Sequence, residues 1–375
     1  MKRPEAVLTL RKQQMSKVYN FSAGPSMLPE EVMLKVQKDF LNFNGMGASI
    51  IEISHRSKEY IAVAEEAIQD LRDLMHVPDN YKVLFMHGGG RGMFAAVPMN
   101  LASKDGCADY VTTGAWSGYA ADEAQKYTNV NEMKLTEKLA DGTITVNTNG
   151  VKFNDNAAYV HCCLNETIHG IDLFDNLDTG NRTVIGDASS CILSRNIDVS
   201  KFGMIYAGAQ KNVGPSGITM AIVREDLLGH AQDICPSILN FKVTADHDSM
   251  YNTPNTFAWY FSGLVFKWIK ETGGVEAMEQ RNIEKANYLY GFIDSCDFYS
   301  NNIDPKFRSR MNVPFFLKNE DLNAEFLAEA KNAGLISLKG HRVLGGMRAS
   351  IYNAMPMAGV KALVEFMDKF AQSHN

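Results

Sequence analysis

Between Gly203 and Gly217 the chain reads Gly-Met-Ile-Tyr-Ala-Gly-Ala-Gln-Lys-Asn-Val-Gly-Pro-Ser-Gly. Met204 to Ala207 is a short apolar run of the kind that forms a buried strand. It empties into a loop that sets one long cation, Lys211, among small and largely uncharged residues. Gly208, Gly214 and Gly217 let the backbone turn tightly and let a bulky group come close. An isolated loop lysine is ordinarily a solvated surface charge, but these flanks do not suit solvent, and lysine is costly to bury. Its amine also forms a Schiff base with a carbonyl. The chemistry expected of Lys211 is therefore to hold pyridoxal phosphate (PLP) as an internal aldimine.

That group makes demands on the rest of the chain: a carboxylate for its ring nitrogen, donors for its phosphate and a flat partner for its ring. Asp187 ends the run Thr183-Val-Ile-Gly-Asp. A carboxylate there commonly caps a helix or joins an ion pair. Beside a pyridinium it would lower its own pKa and raise that of the ring. Gly88-Gly-Gly-Arg-Gly92 follows a strand-like run and opens a helix-like one, where free N–H groups favour an anion. No lysine follows it as a Walker A loop requires, and Met93 stands where a dinucleotide fingerprint needs glycine. Trp116, one of three tryptophans, offers a flat face for stacking, although an isolated tryptophan is more often core. Thr167 is a candidate donor to the ring hydroxyl, or a simple cap. Arg348, His341-Arg342 and His55-Arg56 are candidate anion binders, because arginine meets a carboxylate with two parallel bonds. Two such His-Arg pairs would suit a substrate that carries a phosphate as well as a carboxylate.

The elements that must position these groups alternate. Helices are expected from Pro29, with Val32, Met33, Val36, Phe40 and Leu41 at helical spacing up to Gly45, and over Glu59–Met75. Ile50–Ile53 reads as short and extended. Strands are expected at Lys82–Met86, Ala108–Thr112, Asn129–Leu135, Ala157–Cys163, Thr183–Gly186, Met204–Ala207 and Thr219–Val223, with helices at Met93–Leu101 and Trp116–Tyr127 between them. Alternation of this kind predicts an α/β fold on a mostly parallel sheet, with its site at the carboxyl ends of the strands. Gly88–Gly92, Thr167, Asp187 and Lys211 all fall at such ends. Beyond Gly273-Gly274, helices at Val275–Phe292, Asn323–Asn332 and Met357–Phe370 and strands at Arg310–Leu317 and Arg348–Ile351 predict a smaller α+β domain.

The bulk numbers agree with an ordinary globular protein. The 375 residues leave room for two domains of about 150 residues each. A net charge of −6 without basic tracts disfavours nucleic acid. The longest apolar run, Phe257–Phe266, is too short to span a bilayer. The six cysteines form no C-x-x-C pair, and they read as reduced core thiols of a cytosolic protein with no metal site. Residues 1–17 are basic, lack the apolar segment of a secretory signal and read as an extension, with Met15 as an alternative start.

Taken together, Phe21-Ser-Ala-Gly-Pro, Ser54-His-Arg-Ser-Lys-Glu, His87-Gly-Gly-Gly-Arg-Gly, Asn165-Glu-Thr, Tyr206-Ala-Gly-Ala-Gln-Lys-Asn, Tyr251-Asn-Thr-Pro, Lys339-Gly-His-Arg and Gly345-Gly-Met-Arg-Ala-Ser-Ile-Tyr-Asn resemble the phosphoserine aminotransferases in their bacterial form. The resemblance runs from about Val18 to the C-terminus. It implies a class V, PLP fold-type-I aminotransferase with a seven-stranded sheet, a large domain over 30–272 and a small domain over 18–29 and 273–375. It implies a cytoplasmic homodimer with sites at the subunit interface. Lys211 would be the Schiff-base lysine and proton shuttle, Asp187 the partner of the ring nitrogen, Trp116 the stacking ring and Thr167 the donor to the ring hydroxyl. Gly90, Arg91, Ser189 and Gln210 would hold the cofactor phosphate with the partner's Asn252 and Thr253. Arg348 would take the substrate α-carboxylate, and His55, Arg56, His341 and Arg342 the substrate phosphate, some of them across the dimer. The implied substrates are glutamate, 3-phosphohydroxypyruvate and phosphoserine, with a four-carbon homologue on the pyridoxine pathway. Leu164, in place of proline, and Ala115, in place of a larger residue, depart from the pattern without removing a charged group.

Two other readings stay open on sequence. Another class V enzyme, such as an alanine–glyoxylate aminotransferase, would have little use for two His-Arg pairs, and a desulfurase would need a reactive loop cysteine. A phosphate-binding protein without catalysis would leave Lys211, Asp187 and Trp116 unexplained.

Overall fold

The computed structural model describes residues 18–149, 151–173 and 177–374. The expectations for residues 1–17, including the alternative start, lie outside them. Seven strands form the central sheet: β1 (Tyr81–Met86), β2 (Cys107–Thr112), β3 (Asn129–Lys134), β4 (Ala157–Cys163), β5 (Val184–Asp187), β6 (Met204–Gly208) and β7 (Thr219–Arg224). Their spatial order is β1-β7-β6-β5-β4-β2-β3. Only β7 runs against its neighbours in this sheet.

The near-continuous apolar runs of the central strands reflect burial on both faces. Along β1 the side chains alternate. Val83 and Phe85 pack with helices Lys58–Leu74 and Thr256–Glu271. Leu84 and Met86 pack with helices Gly89–Leu101 and Ala115–Ala124. A separate core unites Phe21 with helices Gly274–Ser295, Asn323–Asn332 and Met357–His374 and with the antiparallel strands Tyr299–Ser300, Asn312–Leu317 and Met347–Ser350. The N-terminal pair Tyr19–Asn20 reaches this region by pairing in parallel with Leu335–Ile336.

Several expectations need correction. Ile50–Ile53 is a turn, not an extended segment. The Ser49 N–H donates to Glu52 Oε2 at 2.8 Å and the Ser49 hydroxyl accepts the Ile51 N–H at 3.3 Å, so polar side chains curl the backbone that the isoleucines alone would extend. The first helix is Glu30–Asp39, ending before Gly45, so Phe40 and Leu41 fall beyond it, and Met33, Phe40 and Leu41 are exposed. Among the cysteines Cys162, Cys163 and Cys191 are buried, whereas Cys107, Cys235 and Cys296 are only partly so. Among the described residues no helix is long and apolar enough to cross a membrane.

Candidate active site

A cavity of about 440 Å³ opens at the carboxyl end of the sheet. Gly88 to Arg91 reach it from the end of β1, Trp116 from β2, Thr167 from β4, Asp187 and Ser189 from β5, and Gln210 and Lys211 from β6. His341 and Arg348 enter from the smaller core.

Lys211 sits in the turn after β6. Its backbone is held by the Ser26 hydroxyl, which donates to the Lys211 carbonyl, while the Ser26 N–H donates to Gln210 O at 3.0 Å. Its amine donates to Thr167 Oγ1 at 2.7 Å and lies 5.4 Å from the centroid of the Trp116 ring. Burial pushes the amine pKa below the ordinary lysine value, and the negative charge of Asp187 opposes that shift. The result is an amine that gives up its proton more readily than a surface lysine, as a nucleophile requires.

Asp187, the last residue of β5, is buried. Its Oδ1 accepts the Ser189 N–H at 2.8 Å, and the Cys163 thiol lies 3.7 Å from Oδ2 as a weak donor. Burial pushes the Cys163 thiol well up, so it stays protonated and able to donate. The Ser189 hydroxyl in turn accepts the Gly208 N–H at 3.1 Å, tying β5 to β6.

The glycine run opens a helix as expected, but that helix begins at Gly89 and not at Met93, so the run is itself the first turn. Gly88 caps it at φ +98°, and a Cβ there would stand 3.1 Å from Gly92 Cα, so position 88 needs glycine on both counts. The first bond of the turn is Gly92 N–H to Gly88 O at 3.0 Å. The N–H groups of Gly89, Gly90 and Arg91 precede it, as the free donors of an anion cradle.

Trp116 is fixed by a residue that the sequence reading passed over. Glu166 is fully buried and caps helix Ala115–Ala124: its carboxylate accepts Trp116 N–H at 3.0 Å, Ser117 N–H at 2.8 Å and the Ser117 hydroxyl at 2.6 Å. A Cβ on Gly114 would come within 2.6 Å of that carboxyl, so the close approach depends on glycine. Burial pushes the Glu166 carboxyl upward, while the Ser117 and Trp116 donors pull it back toward the ionised form. Glu166→Ala is expected to cost about 3 kcal/mol of stability, because it leaves buried N–H groups without an acceptor. Urea denaturation measures this; an unchanged midpoint would contradict the capping role.

Arg348, at the other side of the cavity, makes no ion pair among the described residues. Its Nη1 donates to Thr167 O at 3.4 Å, and its buried Nε has no partner among the described residues. Burial lowers its pKa, and nearby Arg348, Arg342 and His169 add to burial in lowering that of His341. The buried indole Nε1 of Trp116 likewise has no partner among the described residues.

Twelve of the residues singled out from sequence therefore meet at one cavity: Gly88, Gly89, Gly90, Arg91, Trp116, Thr167, Asp187, Ser189, Gln210, Lys211, His341 and Arg348. His55, Arg56, Asn252, Thr253 and Arg342 do not line it within one chain. Arg56, Asn252, Thr253 and Arg342 are exposed and His55 half-buried. Arg56 and Asn252-Thr253 precede two helices that pack together, where the Tyr60 hydroxyl donates to Thr256 O at 3.0 Å. Phe94 and Ile168 line the cavity without having been singled out, and Ala23 and Gly24, given no role within the Phe21-Ser-Ala-Gly-Pro motif, line it too. The donor set fits a flat phosphorylated pyridine aldehyde: an amine disposed to lose its proton, a strand-end carboxylate, an indole and a cradle of free N–H groups.

The class-V aminotransferase sequence model matches residues 18–363. A phosphoserine aminotransferase from Bacillus circulans subsp. alkalophilus is 42% identical over 96% of this chain and 99% of that one, with a TM-score of 0.91. A PLP-bound phosphoserine aminotransferase from Trichomonas vaginalis is 39% identical over 94% of this chain and 100% of that one, with a TM-score of 0.87. An alanine–glyoxylate aminotransferase from Nostoc, at 13% identity and a TM-score of 0.74 over 98% of this chain and 99% of that one, shares the fold alone.

Proposed function

The chain belongs to the phosphoserine aminotransferases within the class V aminotransferases, and from that premise we propose that it transfers an amino group reversibly between L-glutamate and 3-phosphohydroxypyruvate, giving O-phospho-L-serine and 2-oxoglutarate. The observation that carries this reading is the meeting of Lys211, Asp187, Trp116, Gly90 and Arg348 around one cavity. PLP, the cofactor of this reading, supplies an electron sink for the negative charge that develops at the substrate α-carbon.

The chain's own residues then divide the work. Asp187 sets a negative charge at the ring nitrogen and keeps that nitrogen protonated. Lys211 Nζ anchors the cofactor and moves the proton at the substrate α-carbon. Thr167 donates to the ring hydroxyl. Trp116 covers one face of the ring and keeps water from it. Gly90, Arg91, Ser189 and Gln210 hold the cofactor phosphate. Arg348 binds the substrate α-carboxylate through two parallel bonds, for which it is available because it makes no ion pair among the described residues. His341 and Arg342, with His55 and Arg56, take the substrate phosphate.

This reading includes a homodimer in which the partner's Asn252 and Thr253 complete the cofactor phosphate site. Support comes from the apolar side chains left outside on and after the first helix, among them Leu34 at 58% and Leu41 at 79% exposure. It also includes a large domain over 30–272, a small domain over 18–29 and 273–375, a cytoplasmic place in serine biosynthesis, and the four-carbon reaction of pyridoxine biosynthesis.

Arg56→Ala and Arg342→Ala test the substrate assignment. Each is expected to lower kcat/KM for phosphoserine by about 10- to 100-fold, the worth of one or two charge-assisted bonds, and that for glutamate by no more than about twofold. Steady-state kinetics with both amino donors decides it, and an equal loss for the two would remove phosphate recognition from these arginines.

A further inference from the structure

Lys285 is a lysine at 2% exposure with no carboxylate partner among the described residues. It lies on helix Gly274–Ser295, outside the cavity described above. Its amine donates to two backbone carbonyls, Ile351 O at 2.9 Å and Tyr352 O at 2.7 Å. Burial, with Arg281 one turn away, pushes its pKa down to about 7. A neutral amine has two N–H donors, which these two carbonyls satisfy. Burying a lysine without a counter-ion costs free energy, and an apolar residue of the same length would avoid that cost. What the lysine holds is the segment that leaves the Arg348 strand.

That segment touches both halves of the site. Ile351 and Tyr352 follow directly on strand Met347–Ser350, which carries Arg348. The Tyr352 hydroxyl donates to the carbonyl of cavity-lining Ala23 at 2.9 Å and accepts from Asn312 Nδ2 at 3.0 Å. The Asn353 N–H donates to Oδ1 of Asn212, the neighbour of Lys211, at 3.0 Å. Asn282, three residues before Lys285 on the same helix, adds a bond to Asn353 Oδ1 at 2.9 Å. We propose that Lys285 is a positioning residue that fixes the Ile351–Asn353 segment and so sets Arg348 at its working distance from Lys211. The inference rests on the reading of Arg348 as the carboxylate binder. The Lys211 turn has anchors of its own, through Ser26 and through Asn212 Nδ2 to Ile192 O at 3.1 Å, so loss of Lys285 acts on Arg348.

The test is Lys285→Met in the full-length, PLP-loaded enzyme, with KM and kcat measured for glutamate and for phosphoserine. Both substrates carry the α-carboxylate, so both KM values are expected to rise by about tenfold, with kcat within about twofold, as for lost binding common to ground and transition states. The visible absorbance of the bound cofactor is expected to stay unchanged. A fall in kcat with KM unchanged, a loss of cofactor absorbance, or no change in either constant would overturn the proposal. Should Lys285→Met not fold, Tyr352→Phe cuts the same segment from Ala23; a raised KM for both substrates supports the proposal and an unchanged one overturns it. If the parent enzyme leaves phosphoserine unreacted, the functional reading fails, and the glutamate measurements still decide the role of Lys285.

Discussion

Lys211→Ala is expected to lower the transamination rate by about 10⁴-fold, the full worth of a positioned acid–base group, while the protein stays folded. The amine projects into an existing cavity and makes one side-chain bond, to Thr167, so truncation enlarges an open space and opens no gap in a packed core. Its backbone anchors, from Ser26, do not involve the side chain. The rate of phosphoserine conversion with 2-oxoglutarate measures the loss, and thermal melting checks the fold. Normal turnover in a folded variant would remove Lys211 from the chemistry.

Asp187→Asn is expected to lower kcat by about 10²- to 10³-fold, comparable to the loss of a preorganised electrostatic group in a water-excluded site. The substitution isolates charge from shape. Asparagine keeps an oxygen for the Ser189 N–H and places an amide where Oδ2 now faces Cys163. It removes the anion that would keep a ring nitrogen protonated. It also removes the charge that raises the Lys211 pKa against the effect of burial, so the Lys211 amine should titrate at a still lower pH. Single-turnover measurement of the amino-donor half-reaction reads the first effect. A variant with the rate of the parent would show that Asp187 acts through shape alone.

Both residues could be found in the sequence for the same reason. A strand buried on both faces is written as an apolar run, and the polar residue at its carboxyl end stands out against it. Asp187 and Lys211 end or follow β5 and β6, and the glycine run follows β1. The spacing could not show that those glycines form the helix's own first turn, since glycine is a poor helix former and owes its place there to Gly88's left-handed backbone and the approach of Gly92. Ile50–Ile53 misled because β-branched residues favour extended backbone, and the Ser49 and Glu52 bonds override that preference.

Glu166 and Lys285 were harder to see for another reason. Glu166 lies beside Thr167 in the Asn165-Glu-Thr motif, but its donors belong to residues about 50 positions earlier. Lys285 bonds backbone carbonyls 66 and 67 positions away, and a carbonyl carries no mark of side-chain identity. In the sequence it is one more charge on an amphipathic helix. The His55, Arg56, Asn252, Thr253 and Arg342 group was legible as chemistry but does not line the cavity within one chain.

The visible absorbance of the purified protein before and after addition of L-phosphoserine tests cofactor, lysine and substrate together. The expected result is a yellow protein whose band disappears as phosphoserine gives up its amino group, and returns when 2-oxoglutarate accepts one. A yellow protein discharged by other amino acids but not by phosphoserine would contradict the substrate, and a protein that stays colourless after incubation with PLP would contradict the assignment of Lys211 itself.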